Sequence, residues 1–183
     1  MFGFLEPWVL MAGVNTFIAL AIVFLFKTQL PSSTPSVKVR VAAWALPAII
    51  LLGTLTLIVT APASTASTQY EWWEILGLVL WVPVIEEFVF RRALFVWLSQ
   101  RFPKFWSLYL SALVFALAHS SPPTFIPPLG PFLLGLLAAW SYQSTQRLLA
   151  PILLHSVCNG SAILFACYAP GWLDRLSWLY QRL

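Results

Sequence analysis

Long apolar stretches alternate with short polar connections along this chain. Residues 8–26, 41–60, 72–98, 105–119, 131–143 and 148–168 are apolar. Most are long enough to cross about 30 Å of hydrocarbon as helices rising about 1.5 Å per residue. The stretch at 131–143 is short unless it borrows from the loop before it. That loop, SSPPTFIPPLG at 120–130, has four prolines and cannot be helical throughout, because proline has no N–H to donate. The tail GWLDRLSWLYQRL, 171–183, puts Trp172, Leu173, Leu176, Leu179 and Tyr180 at helical spacing and reads as an interfacial amphipathic helix. The pattern predicts an all-α polytopic membrane bundle of about six transmembrane helices plus a C-terminal interfacial helix. It shows no internal repeat, and the whole of 1–183 reads as a single membrane domain.

Composition names the solvent. Hydrophobic residues make up 60% and charged residues 9% of the 183, against roughly 25% charged in a soluble domain. The first partner is therefore the lipid bilayer, and an integral, multi-pass protein of the cell membrane is expected. A net charge of +4 does not imply nucleic acid, since no basic run is interleaved with aromatics. The cations sit in alternate connections: Lys27, Lys38 and Arg40, then Arg101 and Lys104, then Arg147, with none at 61–71 or 120–130. By the positive-inside rule these odd connections face the cytoplasm. Cys158 and Cys167, nine apart in one apolar segment, read as small buried residues rather than a disulfide or metal pair. The start, MFGFLEPW, has neither the basic region nor the cleavage site of a signal peptide.

The third stretch, 72–98, departs from the pattern by carrying Glu86, Glu87, Arg91 and Arg92 in its interior. Ionisable groups at membrane depth cost a few kcal/mol each by insertion scales, about 2.5–3.5 for the most polar. Glu87 and Arg91 are four apart, acid first, the better order for an ion pair within a helix. Glu86 is rotated about 100° from Glu87 and has Phe90, not a cation, at the fourth position on. A carboxylate without its own cation in apolar surroundings suits a general base.

The chain's two histidines, His119 and His155, both lie in apolar stretches, and His155 shares a helical face with Asn159. Depth relates them. Glu86 lies sixteen residues before a turn centred near Phe102 and His119 seventeen after it, so both come about 25 Å from that turn. His155 and Asn159 lie ten and fourteen residues beyond a turn near Thr145, about 15–20 Å deep on the same side. Three helices can therefore converge on one polar pocket.

These residues, in this order, resemble the intramembrane CAAX-type proteases, also called CPBP or Abi proteins, whose motifs are E-E-x-x-x-R, F-x-x-x-H and H-x-x-x-N/D. Here they are Glu86-Glu87 with Arg91, Phe115 with His119, and His155 with Asn159. The likeness spans 72–165 as a catalytic core, leaving 8–60 as two peripheral helices; Arg92 stands where many members have glycine. The resemblance implies peptide-bond hydrolysis in the membrane, on prenylated or other membrane-bound peptide or protein substrates. Glu86 and His119 would activate water, and His155 and Asn159 would donate to the oxyanion. Glu87 and Arg91 would form a structural ion pair.

Two mechanisms stay open on this reading. Glu86, His119 and His155 could form a two-His-one-carboxylate zinc site, and the family is commonly named as metalloproteases. The chain has no H-E-x-x-H, however, and a metal-free glutamate mechanism accounts better for Asn159, a poor zinc ligand and a good oxyanion donor. A metal-free site is therefore favoured, with zinc as the alternative. Ser120, Ser156 and Cys158 have no base evidently arranged to make them nucleophiles. A non-catalytic binding or immunity protein using the same pocket is the rival reading. A small transporter is disfavoured because there are neither repeated halves nor paired broken helices.

Overall fold

The computed structural model describes residues 16–17, 35–61, 68–120 and 126–172. The stretch expected to span at 8–26 and the expected interfacial tail lie outside these residues, except Thr16, Phe17, Gly171 and Trp172, which are helical. Among the described residues every regular element is a helix. In chain order they are α1 (Val37–Val59), α2 (the helical run 72–99), α3 (Lys104–Ala118), α4 (Leu129–Thr145) and α5 (Leu149–Tyr168).

Local chemistry sets the ends. Helix α1 starts four residues before the expected 41 because the Ser36 hydroxyl accepts from Val39 N and caps it. It ends where Thr60 turns its hydroxyl back onto the Thr56 carbonyl at 2.9 Å. Helix α4 does borrow from the proline loop, beginning directly after Pro128 and reaching seventeen residues. It stops at Gln146, whose φ of 58° puts it in the left-handed region. The Thr145 hydroxyl steadies that corner, donating to Ser141 O and accepting from Arg147 N. The short corner starts α5 at Leu149 and so fixes the height of His155 and Asn159.

Helix α2 is not one regular α-helix. It opens as α over Trp72–Leu76, widens to π over Gly77–Trp81, returns to α over Val82–Glu87, and widens again over Phe88–Phe95 before closing at Val96–Ser99. The first widening has a cause in Pro83. Proline cannot donate to the carbonyl four residues back, Val79, and its ring crowds that carbonyl. The Val82 N–H reaches instead to Gly77, five residues back, the π spacing.

Helices α3 and α4 pack closely enough that a Cβ on Gly135 would lie 2.9 Å from the Ala112 Cα, so only glycine fits there. Below this contact Phe95, Val96, Ala139 and Tyr142 form the core, with the Phe95 and Tyr142 rings edge to face at 6.3 Å. Helix α5 packs against α1, α2 and α4, and the Thr54 hydroxyl of α1 donates to Ser161 at 2.9 Å.

Of the described helices, α1 and α5 are long and apolar enough to cross a membrane. Only 11% of the most apolar window of α1 is buried, whereas a helix of similar hydropathy in a soluble core would be mostly covered. Trp44, Leu52 and Leu55 are among the large apolar residues it exposes. Helix α3 is apolar and shorter.

Candidate active site

Helix α2 brings Glu86 and Glu87 to the bundle in different states. Glu87 and Arg91 are wholly buried, with Arg91 Nε 2.8 Å from Glu87 Oε2. The guanidinium also lies 4.8 Å from the centre of the Phe115 ring and reaches Ser111 Oγ at 3.5 Å. Packed thus, Arg91 neutralises Glu87 and tethers α2 to α3.

The other oxygen of Glu87 serves α5. His155 Nδ1 lies 2.9 Å from Glu87 Oε1, and the histidine side chain is 3% exposed. An ionised carboxylate can only accept, so Nδ1 carries the proton and Nε2 points away from Glu87. Sequence spacing paired Glu87 with Arg91 alone; the contact with His155 depends on how α5 is rotated, which spacing within α2 does not reveal.

His119 is fixed in a similar way by a backbone group. It caps the C-terminus of α3, where the last carbonyls have no helical donor. Its Nδ1 takes one of them, Phe115 O, at 2.8 Å. A carbonyl also only accepts, so here too Nδ1 is the donor and Nε2 is left free to face the site. Phe115 gives the F-x-x-x-H spacing a physical meaning. Its buried ring contacts His119 at 4.5 Å, His155 at 5.7 Å and Phe90 at 5.0 Å between centroids, holding both imidazoles against one wall.

Glu86 faces the two free nitrogens. Its Oε2 lies 3.6 Å from His119 Nε2 and 3.8 Å from His155 Nε2. That oxygen is buried and has no hydrogen-bond partner in the protein. The depth matching read from the sequence thus meets its geometrical counterpart: residues 33 and 69 positions from Glu86 arrive within 4 Å of it.

Asn159 stands one turn beyond His155 and lines, with His119, His155, Phe115 and Cys158, a cavity of about 370 Å³. The rest of the wall is apolar, supplied largely by the start of α4 through Pro131, Leu134 and Leu137. One Asn159 amide N–H donates to the carbonyl of Leu78 at 2.8 Å. Cys158, which helical spacing turns away from Asn159, reaches the same cavity. No base is aimed at it, since His155 gives Nδ1 to Glu87 and turns Nε2 to Glu86.

One carboxylate oxygen and two imidazole nitrogens, each ring held through its other nitrogen, form a donor set of the kind that takes zinc. Among the described residues, though, no group of three or more His, Cys, Asp and Glu is gathered closely enough to hold a metal ion. The same convergence suits a polarised water, which needs only hydrogen-bond contacts.

Comparison with known proteins gives these contacts a setting. Residues 68–161, just over half the chain, match the family described as type II CAAX prenyl endopeptidase Rce1-like. The membrane-embedded CAAX protease MroQ of Staphylococcus aureus is 35% identical over 99 residues, which is 51% of this chain and 39% of MroQ. The chain therefore spans about two fifths of that relative's length. No solved structure matches. The matched span holds α2, α3, α4 and most of α5, with every residue of the cluster, and together with the apolar helices it marks a membrane protein.

Proposed function

The chain belongs to the Rce1-like family of type II CAAX prenyl endopeptidases, and on that premise we propose that it is an intramembrane endopeptidase acting on membrane-associated peptide or protein substrates, prenylated or unprenylated. The observation that carries this reading is the unpartnered Glu86 Oε2 facing two histidine nitrogens at 3.6 and 3.8 Å. Glu86 and His119 take a proton from water as it attacks the scissile carbonyl; a positioned base of this kind supplies about 10²–10⁴ in rate. His155 and Asn159 donate to the oxyanion of the tetrahedral intermediate, each such donor contributing about 10²–10³. Because its Nδ1 hydrogen points to Glu87, His155 donates to the oxyanion only when Nε2 carries a hydrogen as well. His119 then returns the proton to the leaving amine.

In this reading six spans cross the cell membrane, with α2 one of them. Its 28 residues are long enough at about 1.5 Å each. The catalytic centre sits near the middle of α2, and the cavity beside it admits the substrate chain. The reaction as written needs no metal. Were zinc to bind, Glu86, His119 and His155 would have to close in to hold it, and it would supply Lewis-acid activation of water.

The test is cleavage by purified protein of a farnesylated CAAX peptide and an unprenylated membrane peptide. Glu86→Ala is expected to abolish cleavage while the variant keeps its thermal melting point. Full activity in Glu86→Ala would remove Glu86 from the mechanism. Chelation that inhibits, with recovery on zinc alone, would replace the metal-free form by the zinc form. No cleavage of either peptide by the wild-type protein would favour a binding protein.

A further inference from the structure

The Leu78 carbonyl has neither of the main-chain donors a helix would provide. In an α-helix it would take the N–H of Val82, but that group is bonded to Gly77. In a π-helix it would take the N–H of residue 83, and residue 83 is Pro83, which has none. A carbonyl without a helical donor points out of the α2 ladder, and the Asn159 amide meets it at 2.8 Å. We infer that Pro83 is a positioning residue: by making the π turn at Gly77–Trp81 it frees the Leu78 carbonyl, which holds one N–H of Asn159 and thereby aims the other into the cavity.

An unrestrained asparagine rotates about two side-chain bonds, and its amide could present oxygen as readily as nitrogen to the substrate. A carbonyl partner accepts only, so it selects the nitrogen end and fixes the plane of the amide. That orients a donor before charge develops, the condition under which a donor is effective. The helix thus gives up regularity at a position that faces α5, and π turns are frequent at functional sites. This inference rests on the donor role given to Asn159 above.

The experiment replaces Pro83 with residues that restore the N–H and favour α-helix, Pro83→Ala and, independently, Pro83→Leu. Kinetics are measured on the farnesylated CAAX peptide with Asn159→Ala and the double variant Pro83→Ala/Asn159→Ala alongside. The expected result is a fall in kcat of about tenfold or more with KM unchanged and a melting temperature equal to or above wild type. In the Asn159→Ala background Pro83→Ala should then cost nothing further. A merely structural proline would not separate kcat from stability. Wild-type kcat in the proline variants beside an impaired Asn159→Ala would overturn the positioning role alone. Wild-type kcat in Asn159→Ala itself would overturn the donor reading beneath it. Losses that multiply in the double variant, or failure of both proline variants to fold, would make Pro83 a structural residue and overturn the inference.

Discussion

Glu86 and Glu87 are neighbours in the chain and opposites in the structure. Glu87 is wholly buried and has both oxygens in use, one on Arg91 and one on His155. Glu86 is a quarter exposed, and its buried oxygen meets only the two imidazole nitrogens at distances longer than a hydrogen bond. The buried side of the cluster, with Arg91 and Ser111, is closed and neutral. The other side, with His119 and Asn159, opens onto the cavity. One helix therefore builds a rigid anchor and a reactive face from adjacent carboxylates, and the anchor aims the face by holding His155. What appeared in the sequence as a structural pair is also a means of orientation.

The contrast can be broken most severely from the closed side. Arg91→Leu leaves the Glu87 carboxylate buried without its cation, and about 3–5 kcal/mol of stability should be lost, with cleavage falling in parallel. Thermal unfolding in detergent checks this, and Glu87→Gln added to Arg91→Leu should recover much of the stability by removing the orphaned charge. Ser111→Ala removes only the long 3.5 Å contact to Arg91 and should cost about 0.5–1.5 kcal/mol, with cleavage nearly unchanged. Glu86→Gln should alter stability least while removing activity. A large loss of stability there would mean that the open side is as structural as the closed one.

Much of this was legible in the sequence because it followed from helical spacing. The spacing of four from Glu87 to Arg91 implied their contact, and nearly equal distances from a turn brought His119 to the depth of Glu86. The all-helical class followed from the apolar pattern. The rest depended on quantities a one-dimensional pattern does not hold. The Glu87–His155 contact needs the rotation of α5 about its own axis. The Leu78–Asn159 contact needs a break in the uniform turn of about 100° per residue on which facing was reckoned, although Pro83 within an otherwise helical stretch was a visible sign of it. Helix α4 ran longer than its apolar core because Leu129 and Gly130 continue the helix once Pro128 has started it.

The two imidazole rings have a consequence in proton counting. Each donates its Nδ1 hydrogen to a fixed acceptor, Phe115 O or Glu87. With both rings neutral, the centre is therefore faced by three lone pairs, Glu86 Oε2 and two Nε2 atoms, and by no proton from any of them. A single water has two hydrogens to offer three such atoms. One of the three is thus left without a hydrogen when a single water is bound, and an occupant with a further donor satisfies it. The centre is then best regarded as an acceptor-lined socket that turns the hydrogens of whatever enters it inward.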